Sequence, residues 1–253
     1  MAVPESNPRV VAVTGAAGGL GRAIALAFAG PGVTLLLIDI AADALAETAA
    51  LVRATGASAE VHSADLADEA AITALGAMLS SGHPRIDVLV NNAGLAYGEI
   101  AHGFLGLGQA KWLRWLAVNS VAPLLLAEAL RPSLALASGL VINQSSMASF
   151  QPGTAYGVTK ATLNAMTHGM ASNFAAYGIR VVGIAPGLME TPANLAGLPA
   201  ETFARVRGLQ LTDRAGTPQD IAGLALFLAS DAGRFINNET IMIDGGSRLR
   251  GWR

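Results

Sequence analysis

The chain has 253 residues, a length α/β folds reach as one unit, and charged residues make up 13% of it, about half the usual share. Its net charge is −2, its pI is near 6.1, and its lysines and arginines are scattered rather than striped, which argues against nucleic acid or an anionic membrane as a partner. The chain contains no cysteine, which excludes disulfides and thiolate metal sites, and its four histidines, His62, His83, His102 and His168, are too dispersed for a metal cluster.

A mean hydropathy of +0.47 with so few charges implies helical surface covered by a sheet or by other subunits, so an oligomer is expected. The opening stretch, Met1 to Arg9, lacks a basic region followed by an apolar run and reads as a leader rather than a signal peptide. The most apolar region, Val118 to Ile142, is interrupted by Pro123, Glu128, Arg131 and Pro132, so no uninterrupted span of membrane length is expected. A soluble, cytoplasmic protein fits these features.

In chain order, the apolar run Val10–Val13 reads as a strand that ends in a turn with glycines at 15, 18, 19 and 21, and Arg22–Ala29 then reads as a helix. A strand, glycine turn and helix in this order let backbone N–H groups approach a pyrophosphate while the helix N-terminus supplies partial positive charge. A second strand, Val33–Ile38, ends at Asp39, where a carboxylate can accept hydrogen bonds from adenosine ribose hydroxyls or cap the following helix. That helix carries Leu45, Ala49 and Val52 on one face and stops at Gly56. Ser58–His62 is a third strand with Ala64-Asp65-Leu66 at its end, and a helix with Ile72, Leu75 and Leu79 follows. The fourth strand, Ile86–Val90, runs into Asn91-Asn92-Ala93-Gly94. Alternating units with such short apolar strands predict a parallel sheet covered on both faces.

A long helix from about Gln109 to Leu130 carries Asn119, and the fifth strand, Leu140–Asn143, ends in Gln144-Ser145-Ser146. In the next helix Tyr156 and Lys160 are four residues apart and share a face. A cation about 4 Å from the phenol at an effective dielectric near 20 is worth about 4 kcal/mol, enough to lower its pKa by roughly three units before screening. A sixth strand, Ile179–Ala185, closes at Pro186-Gly187, and residues 188–211 are expected to be an irregular substrate lid broken by Pro192, Gly197, Pro199 and Gly208. Thr217-Pro218-Gln219-Asp220 predicts a capped helix that ends near Gly233, and Thr240–Ile243 is a seventh strand.

Taken together, the glycine turn, the Asn-Asn-Ala-Gly segment, Asn119, the serine pair, the Tyr-Lys helix and the Pro-Gly turn resemble the short-chain dehydrogenase/reductase family over essentially the whole chain. The resemblance implies a single-domain Rossmann-like α/β fold, a doubly wound seven-stranded parallel sheet of order 3-2-1-4-5-6-7. It further implies a catalytic set of Asn119, Ser146, Tyr156 and Lys160, with Tyr156 as acid or base, Lys160 lowering its pKa and holding the nicotinamide ribose, and Asn119 supporting a water relay. Cofactor contacts are expected from Gly15, Gly19, Leu20, Gly21, Asp39, Ile40, Asp65, Leu66, Asn91, Ala93, Gly94, Tyr156, Lys160, Pro186, Gly187, Met189 and Thr191. Ala185 departs from the asparagine often found before Pro-Gly, and the interval from serine to tyrosine is short.

Asp39 favours NAD over NADP. The implied reaction is reversible hydride transfer between NAD(H) and a hydrophobic secondary alcohol or ketone, with pocket candidates Leu95, Tyr97, Met147, Phe150, Leu188, Met189 and Leu195. Alternatives are an NADPH-dependent reductase of 3-oxoacyl thioesters and a non-catalytic dinucleotide sensor. A homotetramer is implied, with Gln109–Leu130 and Ala155–Tyr177 packing across a two-fold axis.

Overall fold

In the computed structural model, residues 9–197 and 200–247 are described. The expected leader, Met1 to Pro8, the lid residues Leu198 and Pro199, and residues 248–253 lie outside them.

Seven strands form one parallel sheet: β1 (Arg9–Thr14), β2 (Val33–Asp39), β3 (Ser58–Ser63), β4 (Val88–Asn91), β5 (Leu140–Gln144), β6 (Arg180–Pro186) and β7 (Glu239–Ile243). Their order, β3-β2-β1-β4-β5-β6-β7, is the one implied by the resemblance. The central strands are apolar at consecutive positions because side chains alternate between two buried faces. Val11, Val13, Leu35, Leu37 and Ile142 pack with α1 (Gly19–Phe28), α2 (Ala42–Ala54) and the later helix Pro218–Ala229. Ala12, Leu36, Leu89, Val141 and Val181 face α3 (Glu69–Gly82) and the helices between β4 and β6. Burying each such leucine contributes about 1.5–3 kcal/mol, so both faces are held by the same term.

Between β4 and β5 the chain forms α4 (Glu99–His102), α5 (Gln109–Leu116), α6 (Ala122–Ala129) and α7 (Arg131–Ala137). The single helix expected over 109–130 is broken by a π-helical segment, Ala117–Val121, that contains Asn119. Pro123 is the cause written in the sequence, because it has no N–H to donate to the carbonyl of Asn119 four residues earlier. One-turn α4 is too short to produce a periodic signal. Among the described residues no single helix is long and apolar enough to cross a membrane, and the apolar pair Gln109–Ala129 and Arg131–Ala137 bends by 65°.

After β5, α8 (Ala155–Phe174) carries Tyr156 and Lys160 on a helix capped by Thr154, whose hydroxyl accepts from Gly157 N at 3.2 Å. The region expected to be irregular contains two helices, α9 (Pro192–Gly197) and α10 (Ala200–Arg207). The reason is visible at Thr191, whose hydroxyl accepts from the N–H of Asn194 at 3.1 Å in a Thr-Pro start like that of the helix at 218. A parallel bridge between Met189 and Gly216, with Glu190 N donating to Gly216 O at 2.7 Å, closes the neck of this excursion. The following helix, α11 (Pro218–Ala229), carries the expected capping box between Thr217 and Asp220 but stops at Ala229, short of the expected Gly233.

Candidate active site

The carboxyl ends of the strands open into a cleft of about 700 Å³. At one end stands the turn after β1. An added Cβ on Gly21 would lie 2.1 Å from Gly15 O, and one on Gly15 would lie 2.7 Å from Asn92 Nδ2, so only glycine lets α1 start this close to the turn. Gly21 therefore supports the turn from behind and does not line the cleft, contrary to its expected cofactor contact. Gly15, Gly18, Gly19 and Leu20 do line it, and Gly18 and Gly19 face open space at the helix N-terminus, which suits a phosphate.

Asp39 closes this end. Its carboxylate accepts from Ala17 N and Ala41 N, both at 3.0 Å, which fixes it at the cleft wall beside exposed Ile40. Arg22, the nearest cation to the turn, is committed elsewhere: it donates to Thr48 Oγ1 at 2.8 Å, Ala17 O at 2.6 Å, Ala44 O at 3.1 Å and Glu47 Oε2 at 3.2 Å. Asp65, held by Ala67 N at 2.9 Å, and Leu66 also line the wall.

The expected asparagine contact shifts by one residue. Asn91, at the end of β4, points between strands and donates to Asn143 Oδ1 at 2.9 Å and Pro123 O at 3.2 Å, whereas Asn92 faces the cleft with Ala93 and Gly94. Asn92 is itself tied to the turn after β1, its amide donating to Thr14 O at 3.0 Å and Gly15 O at 3.2 Å, so it lines the cleft as part of that turn.

At the other end, Tyr156, Lys160 and Ser146 converge. Lys160 is buried and donates to Gln144 O at 2.7 Å, its Nζ 5.9 Å from the centroid of the Tyr156 ring. Loss of hydration disfavours the ammonium and lowers its pKa to about 8. Tyr156 is half-buried and lines the cleft, and burial raises its pKa to about 12 against an opposing hydrogen bond from Ser146. The sequence-based expectation had the opposite sign. Loss of hydration around the phenol, with no offsetting attraction to Lys160, sets the direction.

The two serines separate as strand alternation requires. Ser145 donates to Asn164 Oδ1 at 2.5 Å on α8, while Ser146 meets the phenol. Asn119 does not line the cleft. Its side chain clamps Leu95 by accepting from the N–H at 2.7 Å and donating to the carbonyl at 2.9 Å, and it donates to Thr159 Oγ1 at 3.0 Å.

Pro186, Gly187, Met189 and Thr191 line the far wall with Leu188, Leu95, Tyr97 and Met147, whereas the pocket candidates Phe150 and Leu195 do not. Residues the sequence did not single out also reach the cleft: Arg114, Val118, Gln144, Asn194 and Val206. Arg114 lies in the last turn of α5, just before the break at Ala117. Tyr97 O–H donates across the mouth to Asn194 Oδ1 at 3.1 Å.

Asp39 on β2 and Gln144 on β5 are separated by β1 and β4, three steps of about 4.8 Å or roughly 14 Å in all, a separation that an extended dinucleotide spans. An open phosphate cradle at a helix N-terminus, a carboxylate at the ribose position and a buried Tyr-Lys-Ser cluster at the opposite end fit a nicotinamide dinucleotide.

Comparison with known proteins agrees with this geometry. A family model described as enoyl-(acyl carrier protein) reductase matches residues 15–248. The cis-4-hydroxycyclohexanecarboxylate dehydrogenase of Sinomonas cyclohexanicum is 35% identical over 94% of this chain and 96% of its own. A 7α-hydroxysteroid dehydrogenase complexed with NADH and 7-oxoglycochenodeoxycholic acid superposes with a TM-score of 0.88 at 28% identity, over 95% of this chain and 94% of its own. The L-sorbose reductase of Gluconobacter frateurii, complexed with NADPH and L-sorbose, gives 0.84 at 26% identity over 95% of this chain and 97% of its own. With the sheet order, the cleft and these likenesses in agreement, the chain belongs to the short-chain dehydrogenase/reductase family, nicotinamide-dependent oxidoreductases acting on CH–OH groups.

Proposed function

We propose that the protein is an NAD-preferring enzyme that reversibly interconverts a secondary alcohol and its ketone, with Tyr156 as the proton-transferring group. The observation that carries this reading is the convergence of the Ser146 hydroxyl, the Tyr156 phenol and the buried Lys160 amine at the end of β5, inside a cleft whose other end is closed by Asp39. The dinucleotide, when bound, gives or takes the hydride. Ser146 donates to the substrate oxygen and holds it beside the phenol. Tyr156 gives that oxygen a proton in reduction and removes one in oxidation. Lys160 favours the phenolate whenever it is protonated and reaches toward the nicotinamide ribose. The part assigned to Asn119 runs through its main-chain carbonyl, which Pro123 deprives of its ordinary helical donor, so that a water can connect it to Lys160.

The NAD preference is supported by Asp39, a carboxylate where a 2′-phosphate would fall, and by the commitment of Arg22 to other partners. The same carboxylate weighs against an NADPH-dependent 3-oxoacyl-thioester reductase. A non-catalytic sensor would have no use for the Tyr156–Lys160–Ser146 cluster.

For the substrate we infer a compact, largely apolar body, from Leu95, Val118, Met147, Leu188 and Val206, with room for one anionic group beside Arg114, an exposed cation at the mouth. The 188–211 segment, including α9 and α10, serves as the lid. Assembly as a homotetramer is supported by a surface groove lined by Leu124, Arg131, Met166 and Tyr177, from α6, α7, α8 and the turn after α8. The test is a panel of cyclic alcohols and ketones, each with and without a carboxylate, read by absorbance of the reduced nicotinamide with NAD(H) and NADP(H). Turnover with NAD(H), better with the carboxylated members, is the expected result. A protein that binds the dinucleotide and turns over nothing in the panel would favour the sensor.

A further inference from the structure

The reacting end of the cleft holds one polar side chain that the mechanism above does not use. Gln144 is 5% exposed, lines the cleft, and has neither its amide nitrogen nor its amide oxygen hydrogen-bonded. Its backbone carbonyl accepts from Lys160 Nζ at 2.7 Å, and the residue lies beside Ile184 in the β5–β6 ladder. Strand alternation settles where the side chain goes. Asn143 points toward α8, bonding Thr167 Oγ1 at 2.9 Å, so Gln144 points to the opposite face, where Ile142 packs against α1 and α11.

A buried amide with both ends unpaired is costly, and a strand position beside Ile142 and Ile184 would be filled at no such cost by an aliphatic side chain. Such a group makes physical sense only if the bound state supplies what the free protein withholds. Its partner must offer a donor and an acceptor together. It must also sit within reach of the Lys160–Tyr156 pair, because the carbonyl of Gln144 anchors that lysine, and it lies three strands from Asp39.

We propose that Gln144 is a binding residue for the nicotinamide half of the dinucleotide, its amide pairing with the carboxamide or with a ribose hydroxyl on that half. This assignment rests on the functional reading above and sharpens it. Asp39 recognises one end of the cofactor, and Gln144 recognises the other.

The test is binding rather than turnover. Gln144→Met keeps the length and apolar contacts of the side chain and removes both polar atoms, and Gln144→Leu is a second variant should the thioether pack badly. Affinity for NADH, ADP-ribose and AMP is measured by fluorescence or calorimetry, and the melting midpoint of the free protein is recorded alongside. NADH is expected to bind about tenfold or more weakly, the scale of losing two hydrogen bonds in a dry site, with AMP within about twofold of the parent and the midpoint unchanged or raised. ADP-ribose binding that stays at the parent's level puts the contact on the carboxamide, and a parallel loss puts it on the ribose. NADH affinity unchanged in both variants would mean that the amide meets only solvent. A lowered midpoint with equal losses for NADH and AMP would mean a purely structural role. Either result overturns the proposal. A parent protein that binds no nicotinamide dinucleotide at all would sink the functional reading, and this assignment with it.

Discussion

The two ends of the cleft are built on opposite terms. At the Asp39 end the polar groups are already satisfied by protein: both carboxylate oxygens accept backbone N–H groups, and Arg22 has four partners. At the Tyr156 end, among the described residues, a lysine is buried without a carboxylate beside it, a phenol is pushed away from ionisation, and an amide has no partner. The first end can recognise a ligand without changing itself. The second is held out of its own best state by the packing around it, and a ligand that enters relieves it. On the proposed mechanism, stability is concentrated where binding has to be selective and given up where protons have to move.

The comparison breaks first at Tyr156. Tyr156→Phe deletes the transferable proton but keeps the ring, so turnover is expected to fall by about 10²- to 10⁴-fold while NADH affinity stays within about threefold of the parent. Turnover near the parent's rate would remove the phenol from the mechanism.

Ser146→Ala should lower turnover by roughly a hundredfold, the scale of losing one preorganised donor to a developing oxyanion. Ser145→Ala removes the bond to Asn164 and a long one, 3.5 Å, to the backbone carbonyl of Lys160, and should cost about 1 kcal/mol of stability with turnover retained. Exchanged phenotypes in steady-state assays would show the two hydroxyls to be misassigned.

Asp39→Asn keeps an acceptor and removes the charge. Its expected consequence is a shift of about tenfold in the ratio of NAD to NADP affinity, toward NADP. A ratio that does not move would mean that the carboxylate is only a cap.

The smallest effect is on stability and depends on pH. The lysine has a folded pKa of about 8 against 10.5 ordinarily, so between those values the unfolded chain holds a proton that the folded chain has shed, and stability rises with pH. Tyr156 has the opposite sign. From pH 10 toward 12 the folded phenol keeps a proton that the unfolded one has lost, and stability falls. In Lys160→Met the rise should vanish while the fall remains, as denaturant titrations across this range would show. A rise that survives the substitution would assign it to another group.

Much of this architecture is legible in the chain because parallel strands buried on both faces appear as uninterrupted apolar runs, and each is followed by its glycine or asparagine turn. Asp39, Ser146 and the Tyr156–Lys160 pair are legible for a related reason: each lies at a strand end or on a helical spacing that alone fixes its direction. What depends on packing is not legible. The spacing brings lysine and phenol together, but the sign of their titration follows from burial. Asn91 and Asn92 look alike until strand pairing turns one inward. Gln144 is an unremarked residue before a serine pair until the sheet strips it of partners. The helices α9 and α10 are a nearer miss, since Thr191-Pro192 repeats the signature read correctly at Thr217-Pro218.

The bridge between Met189 and Gly216 closes the proposed lid on itself at its base. The two stems are joined at the neck, and the excursion is tied again where Leu211 N and Thr212 N donate to Gly245 O just past β7, so part of the entropy of closing that loop is met by these fixed points. With the neck and the Gly245 bonds kept, exchange of the segment between the stems is expected to be tolerated. Grafting the corresponding stretch of a relative onto this neck should change which alcohols are accepted while leaving the sheet, Asp39 and the proton-transfer cluster as they are, so a family of specificities can be drawn from one unaltered frame.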